Sequence, residues 1–452
     1  MVVFMRLRQF VILLLVLLIL GCSTPFKMTE MRSEIETRLL PDESKSSYDT
    51  LNRPIDLSLG LLKLLPETVS SNDAYQSAIA IELEAMSQIE VASSLRRPQI
   101  TASASFGGIR ELETGSNDQT TTGVAGGVNL SQLIYDGGAA VSSMNLATAQ
   151  ALSKSYQRVS QANKVALDAA KSWIDLWQFT KRVELINART SVMDTLVDQI
   201  ERMARSGMLD RASVDSARRQ IVDVKLAESR LQTSKVNALA SFQRFFDTRP
   251  ERIQKPVEFI GIDEVKGYTD KWVSSPLLQS KAADVLAAQA SVNEAKAAFR
   301  PDVRLQTGAR SPWEENESTD LTLGLMLEYT FNDGGRRYQE LKSAEARMEA
   351  AKAKLSNQKS SLKVELEQGL SRLEAIESSA NLLSEKLRLS RSEAEASRAQ
   401  LLTGQSNLRF LVEAEIEIYR AQDQEIAMQA ERHVLLLTIA AGTGVLAAII
   451  DI

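Results

Sequence analysis

One cysteine and one histidine in 452 residues leave almost nothing for metal, thiol or imidazole chemistry. A single cysteine also excludes any disulfide within the chain. Proline (10), glycine (21) and aromatic residues (5%) are all scarce. Few turn formers among long stretches of Ala, Ser, Leu, Glu, Gln and Arg make the composition of long helices rather than of an ordinary multidomain enzyme. The formal charge is −5, from 53 basic and 58 acidic residues, with no basic tract that would mark a nucleic-acid footprint. His433 has no Asp, Ser or Cys beside it in a nucleophile motif. Gly123-Val124-Ala125-Gly126-Gly127 superficially suggests a phosphate loop, but Val128-Asn129-Leu130 continue as strand instead of opening a helix. The expectation is therefore a protein with no catalytic centre, no cofactor and no metal.

What the chain does have begins at its N-terminus. Arg6 and Arg8 precede an unbroken apolar run, Phe10 to Leu20, and the first 21 residues read as a signal peptide. Ile19-Leu20-Gly21-Cys22-Ser23 resembles a bacterial lipobox, in which the chain is cut before Cys22 and that cysteine is acylated. Several acyl chains, at about 0.8 kcal/mol per buried CH₂, make a stable anchor. Ser23 beside the cysteine resembles the address of an outer-membrane lipoprotein. Residues 22–69 read as a tether. At the other end the apolar run Val434–Ile450 is short for a membrane helix and interrupted by Gly442 and Gly444, so the tail 441–452 reads as buried against protein.

Between the ends the chain is duplicated. Arg97-Pro98-Gln99-Ile100 recurs as Arg300-Pro301-Asp302-Val303, and Asp136-Gly137-Gly138 as Asp333-Gly334-Gly335. Arg205-Ser206-Gly207, followed by Val214 and Ala217, recurs as Leu402-Thr403-Gly404, followed by Leu411 and Ala414. From Gly137 to Gly207 and from Gly334 to Gly404 the interval is 70 residues each time. An interval kept without insertion suggests rods whose length matters.

The two repeats, 70–246 and 272–440 with a linker at 247–271, read alike. A short helix comes first, which Asn72 or Asp73 can cap in one repeat, while Ser275-Pro276 supplies a cap and an N1 proline in the other. A hairpin follows, over 98–135 and over 301–332. In the second, Leu321, Leu323, Leu325, Leu327, Tyr329 and Phe331 alternate with Thr322, Gly324, Met326, Glu328 and Thr330, a period of two with one apolar face. Strands of about 9–11 residues are also the length that crosses a bilayer. Long proline-free helices occupy 137–205 and 334–402, and return helices 208–246 and 406–440. Leu362, Leu366, Leu373, Ile376, Ala380, Leu383 and Leu387 make a heptad-like seam.

Four such strands leave edges that lipid cannot satisfy, so closure demands several copies. Three copies give twelve strands and a barrel of roughly 13 Å radius, continued by a helical tube roughly 100 Å long. The alternative is a lipid-anchored coiled-coil scaffold without a pore, which leaves the hairpins unexplained.

With the Arg-Pro strand starts, the Asp-Gly-Gly exits and the two glycine turns in order, the chain resembles the TolC-type outer-membrane efflux and secretion channels. That resemblance implies a mostly α protein of α+β membrane type. It would be a homotrimer with a 12-stranded β-barrel in the outer-membrane lipid and an α-helical barrel in the periplasm. It also implies docking, at the turns Gly207 and Gly404, to a periplasmic adaptor (membrane fusion) protein served by an inner-membrane RND pump or ABC exporter. In the resembled family, carboxylates after the second turn line the narrowest point. Counting from Gly404 places Glu413 at one such position and Phe410 at the other, with Glu417 one turn further on. Arg205, Asp210, Arg211 and Asp215 at the first turn are candidates for charge links that hold the iris shut.

Overall fold

The strand exits show how the sequence builds this fold. In a computed structural model of the chain, Asp136 accepts from the backbone N–H of Gly138 (2.9 Å) and of Ala140 (2.6 Å). Asp333 does the same for Gly335 and Arg337, each at 3.1 Å. These bonds satisfy donors that a helix start leaves without partners. The two glycines of each turn have φ between 69° and 96°, a region open to Gly and costly for other residues. From each cap a helix of 67 residues departs, α3 (Ala139–Arg205) and α7 (Arg336–Leu402). Each is followed by a 36-residue return helix, α4 (Arg211–Phe246) and α8 (Leu408–Thr443). Every boundary in the second pair lies 197 residues after its counterpart, as 336 does against 139 and 443 against 246.

The described residues are 60–451 without 112–118, 207–210, 251, 258–259, 270–271, 312–318 and 403–407. Cys22, Asp210, Gly207 and Gly404 fall outside them, and so do the tips of both hairpins. Ahead of the strands stand α1 (Leu61–Ser70) and α2 (Asp73–Ser94), and ahead of the second hairpin α5 (Ile262–Thr269) and α6 (Pro276–Ala297). A five-residue helix, α9 (Val445–Ile449), ends the chain.

Several expectations are corrected. The tether expected over 22–69 is helical from Leu61, because Leu61, Leu64, Leu65 and Val69 form a buried stripe. The linker 247–271 contains α5. Asn72 caps α2 through its side chain, accepting from Ala74 N, whereas Ser275 caps α6 without a side-chain bond. Ala380 is exposed; the seam on α7 skips it and continues through Leu383, Ser390, Ala394 and Ser397, all buried.

The core lies where α3 passes the end of α4. Trp173, fully buried, sits 5.6 Å from the ring centre of Phe242 and 5.5 Å from that of Phe246, and donates to the Gln254 carbonyl. The C-terminal apolar run packs here as well: Leu436, Ala440, Leu446 and Ala447 are buried, and Ala447 N donates to the Asn163 side chain. No described helix is long and apolar enough to cross a membrane.

The strands β1 (Gln99–Glu111), β2 (Gln119–Tyr135), β3 (Asp302–Ser311) and β4 (Asp320–Glu328) form one antiparallel sheet in that order. The alternation expected to run to Phe331 ends as strand at Glu328. That residue faces Asp302, the first residue of β3, and beyond it β4 has no ladder partner among the described residues.

Candidate functional site

Cross-strand partners share a face of the sheet, and the register therefore sorts every side chain. Ile100 faces Leu130, and Phe106 faces Val124; Val128 faces Ala309, and Leu305 faces Leu325. With Leu321, Leu323 and Leu327 these make one apolar face, and Phe106 (78% exposed), Leu321 (82%) and Leu323 (77%) show that none of the described residues covers it. The opposite face carries Thr101, Ser103, Ser105, Asn129, Ser131, Gln306, Arg310 and Thr322. A sheet that is apolar outward and polar inward is the pattern of a membrane barrel wall.

At the far end of the long helices α8 is buried on two sides. Leu411, Ala414 and Ile418 pack with Leu196 and Ala394, while Val412, Ile416 and Tyr419 join Val183, Ile186, Met193, Val214 and Ile221. What remains is one narrow stripe. It carries Phe410, 55% exposed, with Glu413 and Glu417, both half-buried, and Arg420. The expected gate residues Phe410, Glu413 and Glu417 are thus brought to a single face of α8.

Glu417 accepts from Lys386 of α7 at 2.9 Å and from Arg420 at 2.7 Å, and these cations hold its carboxyl below the ordinary range, Lys386 most strongly. At the first turn, Arg205 and Asp215 are exposed. Arg211 opens α4. The bond made there between α3 and α4 is another, from Arg218 to Glu201, which pulls the Glu201 carboxyl down. Arg205 and Asp215 add only weaker Coulombic support to that pair.

Sequence reasoning also missed a polar seam beneath Glu413 and Glu417. Glu415, between the two gate candidates, is buried and accepts from Arg189 of α3 at 3.1 Å and from Arg398 of α7 at 2.7 Å. Arg189 also donates to Gln422 at 2.9 Å. One further turn along, Arg182 of α3 holds Asp423 through two bonds of 2.7 and 2.8 Å. Burial, together with the Asp423 charge, pushes the neighbouring Tyr419 hydroxyl up to about 12. The signal available in the sequence was the fourfold spacing of apolar residues on both sides of Glu415, which marks it as facing inward.

Among the described residues no cluster of His, Cys, Asp or Glu is placed to hold a metal. His433 is half-buried in a small crevice with Leu61, Ile174, Pro256, Ile260 and Leu436.

No curated protein matches the chain. Solved structures similar in fold include the outer-membrane channel OprN (16% identity, TM-score 0.75, covering 88% of this chain and 91% of that one). The Campylobacter jejuni CmeC outer membrane channel is similar too (14%, TM-score 0.76, 85% of each chain). So is the outer membrane protein VceC of Vibrio cholerae (17%, TM-score 0.75, 85% of this chain and 96% of that one). The family model described as outer membrane efflux protein matches residues 64–245 and 271–445, most of the chain and both repeats. The chain belongs to the outer membrane efflux protein family, whose members are transport ducts and not enzymes.

Proposed function

We propose that three copies of this chain form the exit duct of a tripartite efflux pump or a type I secretion system. The duct conducts substrates passively from a periplasmic adaptor and its inner-membrane RND pump or ABC exporter to the exterior. The observation that carries this reading is the pairing of a four-stranded sheet, apolar on one face, with two long helices of equal length that leave it at equivalent turns. Two helices of 67 residues give both repeats the same reach, so that an adaptor can meet the two together. Lipid on the apolar face satisfies the sheet, and only further copies satisfy its edges.

In this reading the α8 stripe turns inward at the turn end, and three copies of Glu413 form a ring. Counting from the second turn, Glu413 holds the position at which the resembled family places a pore carboxylate, which makes it the first candidate for the cation-selective element, with Glu417 one turn further along the same face. Arg205, Asp210, Arg211 and Asp215 belong to the same closed end as charge links between copies.

The test is single-channel recording in planar bilayers, with protein whose mass in detergent is three times that of the chain. Glu413→Gln is expected to weaken cation selectivity and block by divalent ions, and Glu417→Gln to do so less. If neither substitution alters selectivity, the ring is not there; a monomer without conductance overturns the duct itself. Lipid anchoring at Cys22 is read by metabolic labelling with palmitate, which Cys22→Ser is expected to abolish. A mature chain that still carries Arg6 and Arg8 would contradict it.

A further inference from the structure

The long helix α7 gives one of its sides to the small elements around α5. Lys363 lies 5.5 Å from the ring centre of Trp272, just after α5, and Lys266 of α5 pairs with Glu374 at 3.4 Å. Lys363 and Glu374 stand eleven positions apart, about three turns, and so share that side. Arg347 precedes Lys363 by sixteen positions, about four and a half turns, which points it the opposite way. Two further cations continue this opposite side. Arg372, about seven turns beyond Arg347, bonds Glu431 of α8, and Lys386, about eleven turns beyond it, bonds Glu417. Glu417 belongs to the α8 stripe that also carries Phe410 and Glu413, and Glu431 falls two heptads after it.

On the Arg347 side a cleft of about 440 Å³ opens between α6 and the start of α7. Ser291 and Ala295 line it from α6, and Arg336, Glu340, Ser343 and Arg347 from α7. Its charges do not cancel. Arg336 donates to Glu340 at 2.8 Å, which occupies both. Arg347 donates only to the Ser343 hydroxyl, at 3.1 Å, and has no carboxylate partner among the described residues. The neighbouring elements bring it none. The first fifteen residues of α3, 139–153, carry no charge, and Glu294 of α6 falls in the buried row of Ala283, Ala287, Ala290 and Ala297.

We propose that this cleft is an anion subsite of the duct, in which three copies of Arg347 ring the bore and hold a carboxylate, phosphate or sulfonate group of the substrate. The ring lies roughly 16 Å along α7 from its start, just before the strand pore. A guanidinium offers a planar pair of donors to such a group, and the hydroxyls of Ser343 and Ser291 supply more. Its charge is opposite to that of Glu413 near the other end of α7, so the two ends of the duct favour opposite charges. The subsite rests on the duct proposed above, because that assembly turns the side of α7 away from α5 towards the bore.

Pyrenetetrasulfonate, a rigid fluorescent anion, is the probe. Titrated into the purified trimer in detergent, it should bind Arg347→Gln about tenfold more weakly than the parent. Binding to the parent should weaken as salt rises. Lys352→Gln removes the same charge eleven positions before Lys363, on the α5 side, and should leave the affinity unchanged. In planar bilayers an impermeant methanethiosulfonate should lower the conductance of Arg347→Cys and spare Lys352→Cys, with the parent as control for Cys22. Conducting trimers in which Arg347→Gln binds the probe as the parent does overturn the subsite and leave the duct standing. So does a reagent that leaves Arg347→Cys unaltered. A protein without conductance overturns the duct, and the subsite with it.

Discussion

Glu415→Ala is expected to cost about 3 kcal/mol of stability, because it strands a buried guanidinium. The carboxylate is the only described link that joins α3, α7 and α8 at one point, through Arg189 and Arg398. Arg398 is 55% exposed and can turn to water, so the penalty falls on Arg189, which is 21% exposed and retains only Gln422. Glu415→Gln keeps the shape and one acceptor oxygen and should lose about half as much. In thermal unfolding followed by helical signal, Ala should therefore fall below Gln, and Gln below the parent. In bilayers the Ala variant should open more often, since α8 then loses its charged link to Arg189 and keeps towards α3 its apolar contacts, the Arg182–Asp423 pair and the single Arg189–Gln422 bond. Unchanged melting for Glu415→Ala would mean that both arginines find equivalent partners at once.

The second large effect is expected in the sheet. Leu323→Arg places a cation on the apolar face, near the middle of β4, where lipid exposure costs about 2–4 kcal/mol in each copy. Thr322→Arg, one residue earlier, points to the polar face, where the same side chain meets water. The expected result is a sharp fall in outer-membrane trimer for Leu323→Arg. Thr322→Arg should give near-normal assembly and an altered conductance. Equal losses for the two neighbours would mean that the sheet does not divide lipid from water.

Much of this architecture is legible in the sequence because its markers are local. Asp-Gly-Gly specifies a turn through positive φ and a side-chain cap, and the alternation of Leu321 to Leu327 specifies a strand within a few residues. The seam partners are not local. Whether Glu415 meets Arg189 depends on the relative rotation of helices separated by 226 positions in the chain, which no short window encodes. The early end of β4 is hidden for a related reason: the pattern continues to Phe331, and only the position of β3 decides how much of it finds a partner. Helix α1 was missed because a ten-residue stripe interrupted by Pro66 is too short for its period to stand out.

The equal lengths of the two helical hairpins, 67 and 36 residues in each repeat, also constrain how such a chain can change. Removing one residue from α7 alone would lower its turn by about 1.5 Å and rotate it by about 100° relative to the turn of α3. The tip would lose both its level and its phase. Deleting the equivalent residue in both repeats restores the level but leaves both turns facing the wrong way. Only a change of about seven residues, made in both halves, returns every side chain close to its former direction. Length in this protein is therefore inherited in matched heptads: two distant stretches of one gene must drift together or not at all.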